Sequence, residues 1–323
     1  MGLLQSAPEA MIRAALLVLV ACNSSSSMPA VDDAASSSGD APGDSTMIDA
    51  PVQTATCETK TAQPLDATWS VTVGTVTRTA RVHVPASYDP SKRTPLVINL
   101  HGRTSNGTQQ AWLSHAIQKS DAAGYIVMHP ESSTSPTSWN AGGGCCDPAA
   151  AQNVDDSGFI RKLLDDAEAK LCIDTSRVYV TGLSNGGYLA HRVACEMTDR
   201  IAAIGPVAGL LQLQTCAPTK PMPVMLVHGT SDTLVPYDWV PPTVNYWKAK
   251  NQCTTQATTY QNGAATCVTH GGCTGGADVV LCTITGGGHQ WPGGEEVPFL
   301  GTKSDDIIAT DAMWNFFVAH PRL

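Results

Sequence analysis

The segment Gly182-Leu183-Ser184-Asn185-Gly186 constrains this chain more than any other stretch, because it sets a serine between glycines where a strand-like run meets a helix-like run. Ahead of it, Arg177-Val178-Tyr179-Val180-Thr181 has the β-branched and aromatic content of a short buried strand. Behind it, residues 187–197 have the apolar spacing of a helix. A strand that turns this sharply into a helix strains the residue at the turn, and neighbours without side chains give it room. A GxSxG spacing also arises by chance, so the rest of the chain must supply a chemical machine around Ser184.

With 42% hydrophobic and 15% charged residues over 323 positions, the composition is globular and excludes a disordered or fibrous protein. Near the N-terminus, Arg13 precedes an apolar run over residues 14–20 that is too short to span a bilayer and suits a signal-peptide core. Leu19-Val20-Ala21-Cys22 resembles a bacterial lipobox, which implies cleavage before Cys22, lipidation of its thiol, and Met11 as the natural start. An ordinary secretory signal is the alternative; either way the mature protein is expected outside the cytoplasm. Residues 23–56 hold five aspartates and no aromatic or basic residue, so they read as a disordered acidic Ser/Ala/Pro tether. Such a tether spans about 30 Å and would hold a domain clear of the membrane. Once it is set aside, the folded part carries −4 of the net −9, nearly balanced, and nothing points to nucleic-acid binding.

Of eleven cysteines, ten fall between Cys57 and Cys282, an even number with no CxxC spacing, which in an exported protein argues for disulfides. Cys267 and Cys282 lie in β-like runs that can pair, and Cys253 could then reach Cys273. Cys145 and Cys146 are adjacent, and separate partners are expected for them, since joining neighbours closes a strained ring.

Residues 69–85 alternate as an antiparallel hairpin. Continuous apolar strands are then expected at 95–100, 125–129, 177–181, 201–207 and 222–228, with helices at 109–123, 156–171 and 187–197 between them. Strands that are apolar on both sides and alternate with helices make a mostly parallel sheet covered on both faces. A last helix, 307–318, is expected to turn Met313, Trp314 and Phe317 inward. Residues 57–323 read as one α/β domain.

A serine hydroxyl needs a base, and the base an orienting carboxylate. Asp232 follows an apolar strand in Val227-His228-Gly229-Thr230-Ser231-Asp232, where open α/β sheets place functional loops. His289 sits in Gly286-Gly287-Gly288-His289, whose glycines free the backbone to bring an imidazole over the serine. Glu295, Glu296 and Asp305 are other possible acids, and Asp232 could serve only a turn. Backbone N–H groups of Asn185 and of Arg103, in Leu100-His101-Gly102-Arg103, are the expected oxyanion donors. The Arg103 side chain either guides an anionic substrate or is solvated. His101 and His228 read as structural, packed at strand ends. Asp155 and Asp156 read as the N-cap and first turn of a helix.

Asn99-Leu100-His101-Gly102, Trp139-Asn140 with Cys145-Cys146, Val154-Asp155-Asp156-Ser157-Gly158-Phe159, the serine motif, His228-Gly229-Thr230 with Asp232, and Gly287-Gly288-His289 with Trp291-Pro292-Gly293 together resemble the esterase family of polyhydroxybutyrate depolymerases and feruloyl or acetylxylan esterases. The resemblance covers nearly all of 57–323. It implies the α/β-hydrolase fold, a Ser184, Asp232, His289 triad working through an acyl-enzyme, and no metal or organic cofactor. Arg103 departs from the small residue or Cys that relatives often have there. Trp139 and Trp291 are candidates for a substrate wall, with core packing the alternative. The chain ends after its last helix without the added binding module of polyester depolymerases, so feruloyl or acetyl esters of plant polysaccharide fragments are the expected substrates. A polyhydroxybutyrate oligomer is the alternative, and a lipid-anchored surface protein that binds without turnover is the alternative of another class.

Overall fold

The computed structural model describes residues 57–143 and 145–322. The expected signal peptide at 1–22 with Cys22 and the expected tether at 23–56 lie outside them. Ten strands form one sheet: β1 (Asp66–Val73), β2 (Val76–His83), β3 (Thr94–Leu100), β4 (Ile126–Pro130), β5 (Ile173–Leu183), β6 (Ala203–Val207), β7 (Val224–Gly229), β8 (Thr255–Asn262), β9 (Ala265–Gly271) and β10 (Val279–Ile284). Their order is β1-β2-β4-β3-β5-β6-β7-β10-β9-β8. The central strands from β4 to β10 run parallel, and each edge is finished by antiparallel pairing, β1 and β2 on one side and β9 and β8 on the other.

Six helices cover the sheet: α1 (Gly107–Ser114), α2 (Ala116–Ala123), α3 (Asp156–Lys170), α4 (Asn185–Glu196), α5 (Val240–Lys250) and α6 (Ala309–Ala319). Successive strand residues face opposite sides, so the apolar strands feed two cores. Leu96, Ile98 and Leu100 of β3 with Val178 and Val180 of β5 pack beneath α3, α4 and α5. Val97 and Tyr179 join Ala116 of α2 and Met313, Phe316 and Phe317 of α6 on the other face. Trp314 is only partly buried and stacks on Tyr125 at 4.4 Å. Among the described residues no helix is long and apolar enough to cross a membrane.

Two sequence expectations change. The single helix at 109–123 is two, broken at His115 in left-handed backbone with φ 53°. The carbonyls that would continue it are taken from outside: Leu113 accepts from the Glu295 N–H at 3.0 Å, and Ser114 from the Thr310 hydroxyl. The cysteines also correct one expectation. Cys267–Cys282 and Cys253–Cys273 are bonded, the former directly across β9 and β10. Cys145 and Cys146, expected to have separate partners, are joined to each other. Cys57 pairs with Cys172 and Cys195 with Cys216, so no other described cysteine is available to them, and the positive φ of Cys146, 73°, gives the dipeptide a turned backbone.

Candidate active site

β5 delivers Ser184 at the C-terminal edge of the parallel sheet in a conformation that side chains rarely adopt, φ 55° and ψ −123°, and α4 begins at the next residue. Its N–H is tied to the Val207 carbonyl of β6 at 2.8 Å. The flanking glycines are a packing requirement. A methyl at Gly182 would lie 2.6 Å from the Leu100 carbonyl oxygen, and one at Gly186 would overlap the same oxygen. The turn is pressed against the end of β3, and only hydrogen fits between them.

The loop after β3 lies against the serine, since a Cβ on Gly102 would sit 3.5 Å from the Cβ of Ser184. His101 shapes this loop. Its Nδ1–H donates to the Gly102 carbonyl at 2.7 Å and its Nε2 accepts from Ser132 N–H at 3.2 Å, which fixes a neutral tautomer. Burial pushes its pKa down to about 4, despite the Gly102 bond. Arg103 follows, with its Nε donating to the Asp147 carbonyl at 3.0 Å, so its side chain is part of the loop scaffold.

Asn185 is fully buried, and its amide brackets Trp139: Oδ1 accepts from the Trp139 N–H at 2.6 Å and Nδ2 donates to the Trp139 carbonyl at 3.1 Å. The Trp139 indole in turn donates to the His101 carbonyl at 2.8 Å. One clamp thus spans the residue after the serine and the loop of the expected second oxyanion donor. Of the two readings of Trp139 and Trp291, a substrate wall or core packing, their burial favours the second. Trp139 and Trp291 are 0% and 1% exposed, one packed on His101 and Arg78, the other in the α6-side core with its N–H on Thr310.

The strand ends of β7 and β10 bring Asp232 and His289 together. A Cβ on Gly229 would lie 2.6 Å from the Gly288 carbonyl oxygen, and Ser231 N–H bonds the Gly287 carbonyl at 2.8 Å, so the two loops are laced edge to edge. His289 Nδ1 meets Asp232 Oδ2 at 2.7 Å, with the residues 3% and 5% exposed. Of the other acids weighed, Glu295 pairs with His115 and Asp305 with Lys303. Burial alone would raise the Asp232 carboxyl, but the His289 hydrogen bond and charge, the Val235 N–H and His228 outweigh it and hold it below the usual range. This carboxylate therefore stays ionised, as an acid that orients an imidazolium must.

Sequence reasoning missed two supports. His228 does not merely fill a strand end: its Nε2 donates to the Val235 carbonyl at 2.8 Å and lies 3.4 Å from Asp232 Oδ2. Burial drives its pKa down, so it buttresses the acid as a neutral group. Asp155 caps α3 as expected, accepting from Gly158 N–H at 2.8 Å. Asp156, expected only in the first turn, is a core residue: it is paired with Arg78 at 2.7 Å and accepts from Asn140 N–H at 2.6 Å. It thereby holds the chain at the residue after Trp139. An arginine far away in sequence, on the hairpin, is not a signal that spacing could reveal.

Residues 84–270 match the family model described as phospholipase/carboxylesterase. The chain belongs to that family. Feruloyl esterase B of Piromyces equi is 30% identical over 230 residues, covering 64% of this chain and 42% of that protein. A bifunctional acetylxylan esterase/xylanase of Neocallimastix patriciarum is 27% identical over 215 residues, covering 65% and 31%. The carboxylesterase-family chain thus spans less than half the length of these two relatives. Feruloyl esterase C of Emericella nidulans is 26% identical over 248 residues, covering 73% of this chain and 82% of that protein. Among solved structures, the acetyl xylan esterase from Aspergillus awamori superposes with a TM-score of 0.58 at 17% identity, over 78% of this chain and 99% of that one. With the parallel sheet and its N-terminal antiparallel hairpin, this is the α/β-hydrolase fold.

Proposed function

We propose that the protein is a serine esterase that works through an acyl-enzyme. The observation that carries this reading is a strained serine on the same sheet edge as a buried, hydrogen-bonded Asp232–His289 pair. With Nδ1 of His289 engaged by Asp232, Nε2 is the nitrogen left to take the proton of Ser184 as its Oγ attacks the ester carbonyl. The oxyanion that forms would be met by the N–H groups of Arg103 and Asn185, the second at the start of α4, where a helix favours negative charge. Each such donor contributes about 3 kcal/mol to the transition state. His289 then returns the proton to the departing alcohol, and water, deprotonated by the same nitrogen, releases the acid.

The relatives support a substrate class. Those named above are described as feruloyl and acetylxylan esterases, and feruloyl or acetyl esters of plant polysaccharide fragments are the substrate class we propose, ahead of polyester oligomers. The five disulfides among the described residues fit an oxidising compartment. Export through residues 1–22, with Cys22 as a lipid anchor and 23–56 as tether to a catalytic domain at 57–323, is part of the proposal. Purified protein assayed side by side on methyl ferulate, acetylated xylan and hydroxybutyrate oligomers tests it. Turnover of either of the first two above the third is expected; turnover of hydroxybutyrate oligomers alone refutes the substrate, and turnover of none refutes the enzyme and favours a binding role.

A further inference from the structure

Beside the oxyanion loop lies an open groove of about 550 Å³, between the loop that follows Trp139 and the segment before Cys216. That volume is within the roughly 300–1,000 Å³ of small-ligand sites. Asn140, Asp147, Asn153, Arg192, Gln214 and Thr215 line it, together with the apolar Leu213 and small residues of the loop that follows Trp139. One wall, the loop that follows Trp139, is fixed to the candidate catalytic residues at two points. Asn140 is the neighbour of Trp139, which Asn185 brackets, and its carbonyl is held by Arg192 Nη1 at 2.8 Å. Asp147 receives Arg103 Nε at 3.0 Å on its carbonyl. The groove is thus tethered to the loop of the Arg103 donor through Asp147 and to Asn185 through the Trp139–Asn140 segment.

The lining selects among the parts of an ester. Among the described residues that line the groove there is no aromatic ring, so a phenolic acyl group finds no stacking partner. Asn153 and Gln214 offer both donors and acceptors, the buried Asn140 spends its Nδ2 on the Val154 carbonyl at 2.9 Å, and the exposed Asp147 carboxylate, which spends Oδ1 on Ala151 N–H at 3.0 Å, can only accept. A polyester segment carries acceptors alone and would leave that carboxylate unmatched. A chain of hydroxyls supplies both. We infer that this groove is the subsite for the alcohol half of the ester, and that this half is a polyhydroxylated sugar chain. The inference rests on the esterase reading for its catalytic setting, while the groove's affinity for a sugar is measurable without turnover.

Two variants on the exposed rim test it: Gln214→Ala/Thr215→Ala, which strips polar groups, and Thr215→Trp, which fills the space. In each, the ratio of kcat/KM for an acetylated or feruloylated xylo-oligosaccharide to that for the matching methyl ester is expected to fall at least about fivefold, the loss of one or two hydrogen bonds. In parallel, unesterified xylo-oligosaccharide is titrated calorimetrically into Ser184→Ala protein, with and without the rim changes. Binding that the rim changes weaken supports the groove. An unchanged kinetic ratio in both variants, or no binding by the Ser184→Ala protein, overturns it. Absence of turnover on every ester would sink the esterase reading alone, because the titration still decides the groove.

Discussion

Asp156→Ala is expected to cost far more than the loss of a carboxylate from the first turn of a helix. The Asp156 carboxylate lies 2.7 Å from Arg78 Nη2 with the two side chains 0% and 3% exposed. Burial pushes the Asp156 carboxyl up and the Arg78 guanidinium down, each against the partner's charge, so the pair as a whole is no net source of stability. Breaking half of it is another matter. The guanidinium would stay 3.9 Å from the centre of the Phe159 ring with its ion-pair partner gone and only the Asp155 charge to offset it, at a cost of about 3–5 kcal/mol. The Asn140 N–H would also lose its acceptor, about 1–3 kcal/mol more before relaxation. A total near 5 kcal/mol lowers the Tm of a domain this size by about 10–20 °C. The neighbouring Asp155→Ala removes only a cap, about 1 kcal/mol. Arg78→Met/Asp156→Leu, which takes out both charges, should lose less than Asp156→Ala alone. Urea unfolding followed by far-UV circular dichroism at neutral pH, disulfides intact, ranks the three. If Asp156→Ala lies within about 1 kcal/mol of Asp155→Ala, the reasoning is wrong.

Acid should weaken the fold well before the carboxylates titrate. Burial lowers His101 to about 4 and His129 and His191 to about 3, so each is neutral in the fold while the unfolded chain takes up protons near pH 6.5. Their contribution is complete above pH 6.5 and lost as pH falls, about 3 kcal/mol for His101 alone by pH 4; equal unfolding free energies at pH 7 and 4.5 would contradict this. Cys57–Cys172 closes a separation of 115 residues, and Cys57→Ser/Cys172→Ser should lose about 4 kcal/mol in the same denaturant assay. A loss under about 1 kcal/mol would place the constraint elsewhere. Gly186→Ala forces a methyl onto the Leu100 carbonyl, so it should lower stability by about 2 kcal/mol and displace the serine; parent-like stability and esterase rate together would remove the packing argument.

What the sequence revealed follows from which forces act locally. The β-branched run of β5, the apolar strands β3, β4, β6 and β7 and the alternating hairpin β1–β2 are written in their own residues, and so is the placing of Asp232 and His289 behind strand ends. β8 is different: all eight of its residues are exposed, so no hydrophobic pattern marks it, and it exists because β9 offers it an edge. The break at His115 was hidden because distant partners take the carbonyls of Leu113 and Ser114. For Trp139 and Trp291 the sequence left a substrate wall and core packing both open, and hydrogen bonds to His101 and Thr310 draw both indoles inside. The Arg78–Asp156 pair joins a hairpin to a helix, a contact that only the folded chain creates.

The central claim is that Ser184 is the nucleophile, activated by His289 and Asp232. The most direct measurement is covalent labelling with a fluorophosphonate, read by peptide mass spectrometry on the parent protein, Ser184→Ala and Asp232→Asn. A single adduct on Ser184 is expected, absent in Ser184→Ala and much slower in Asp232→Asn, where the imidazole loses its orienting carboxylate. Ester hydrolysis that persists in Ser184→Ala at the parent rate, or an adduct that forms on another residue, would contradict the account.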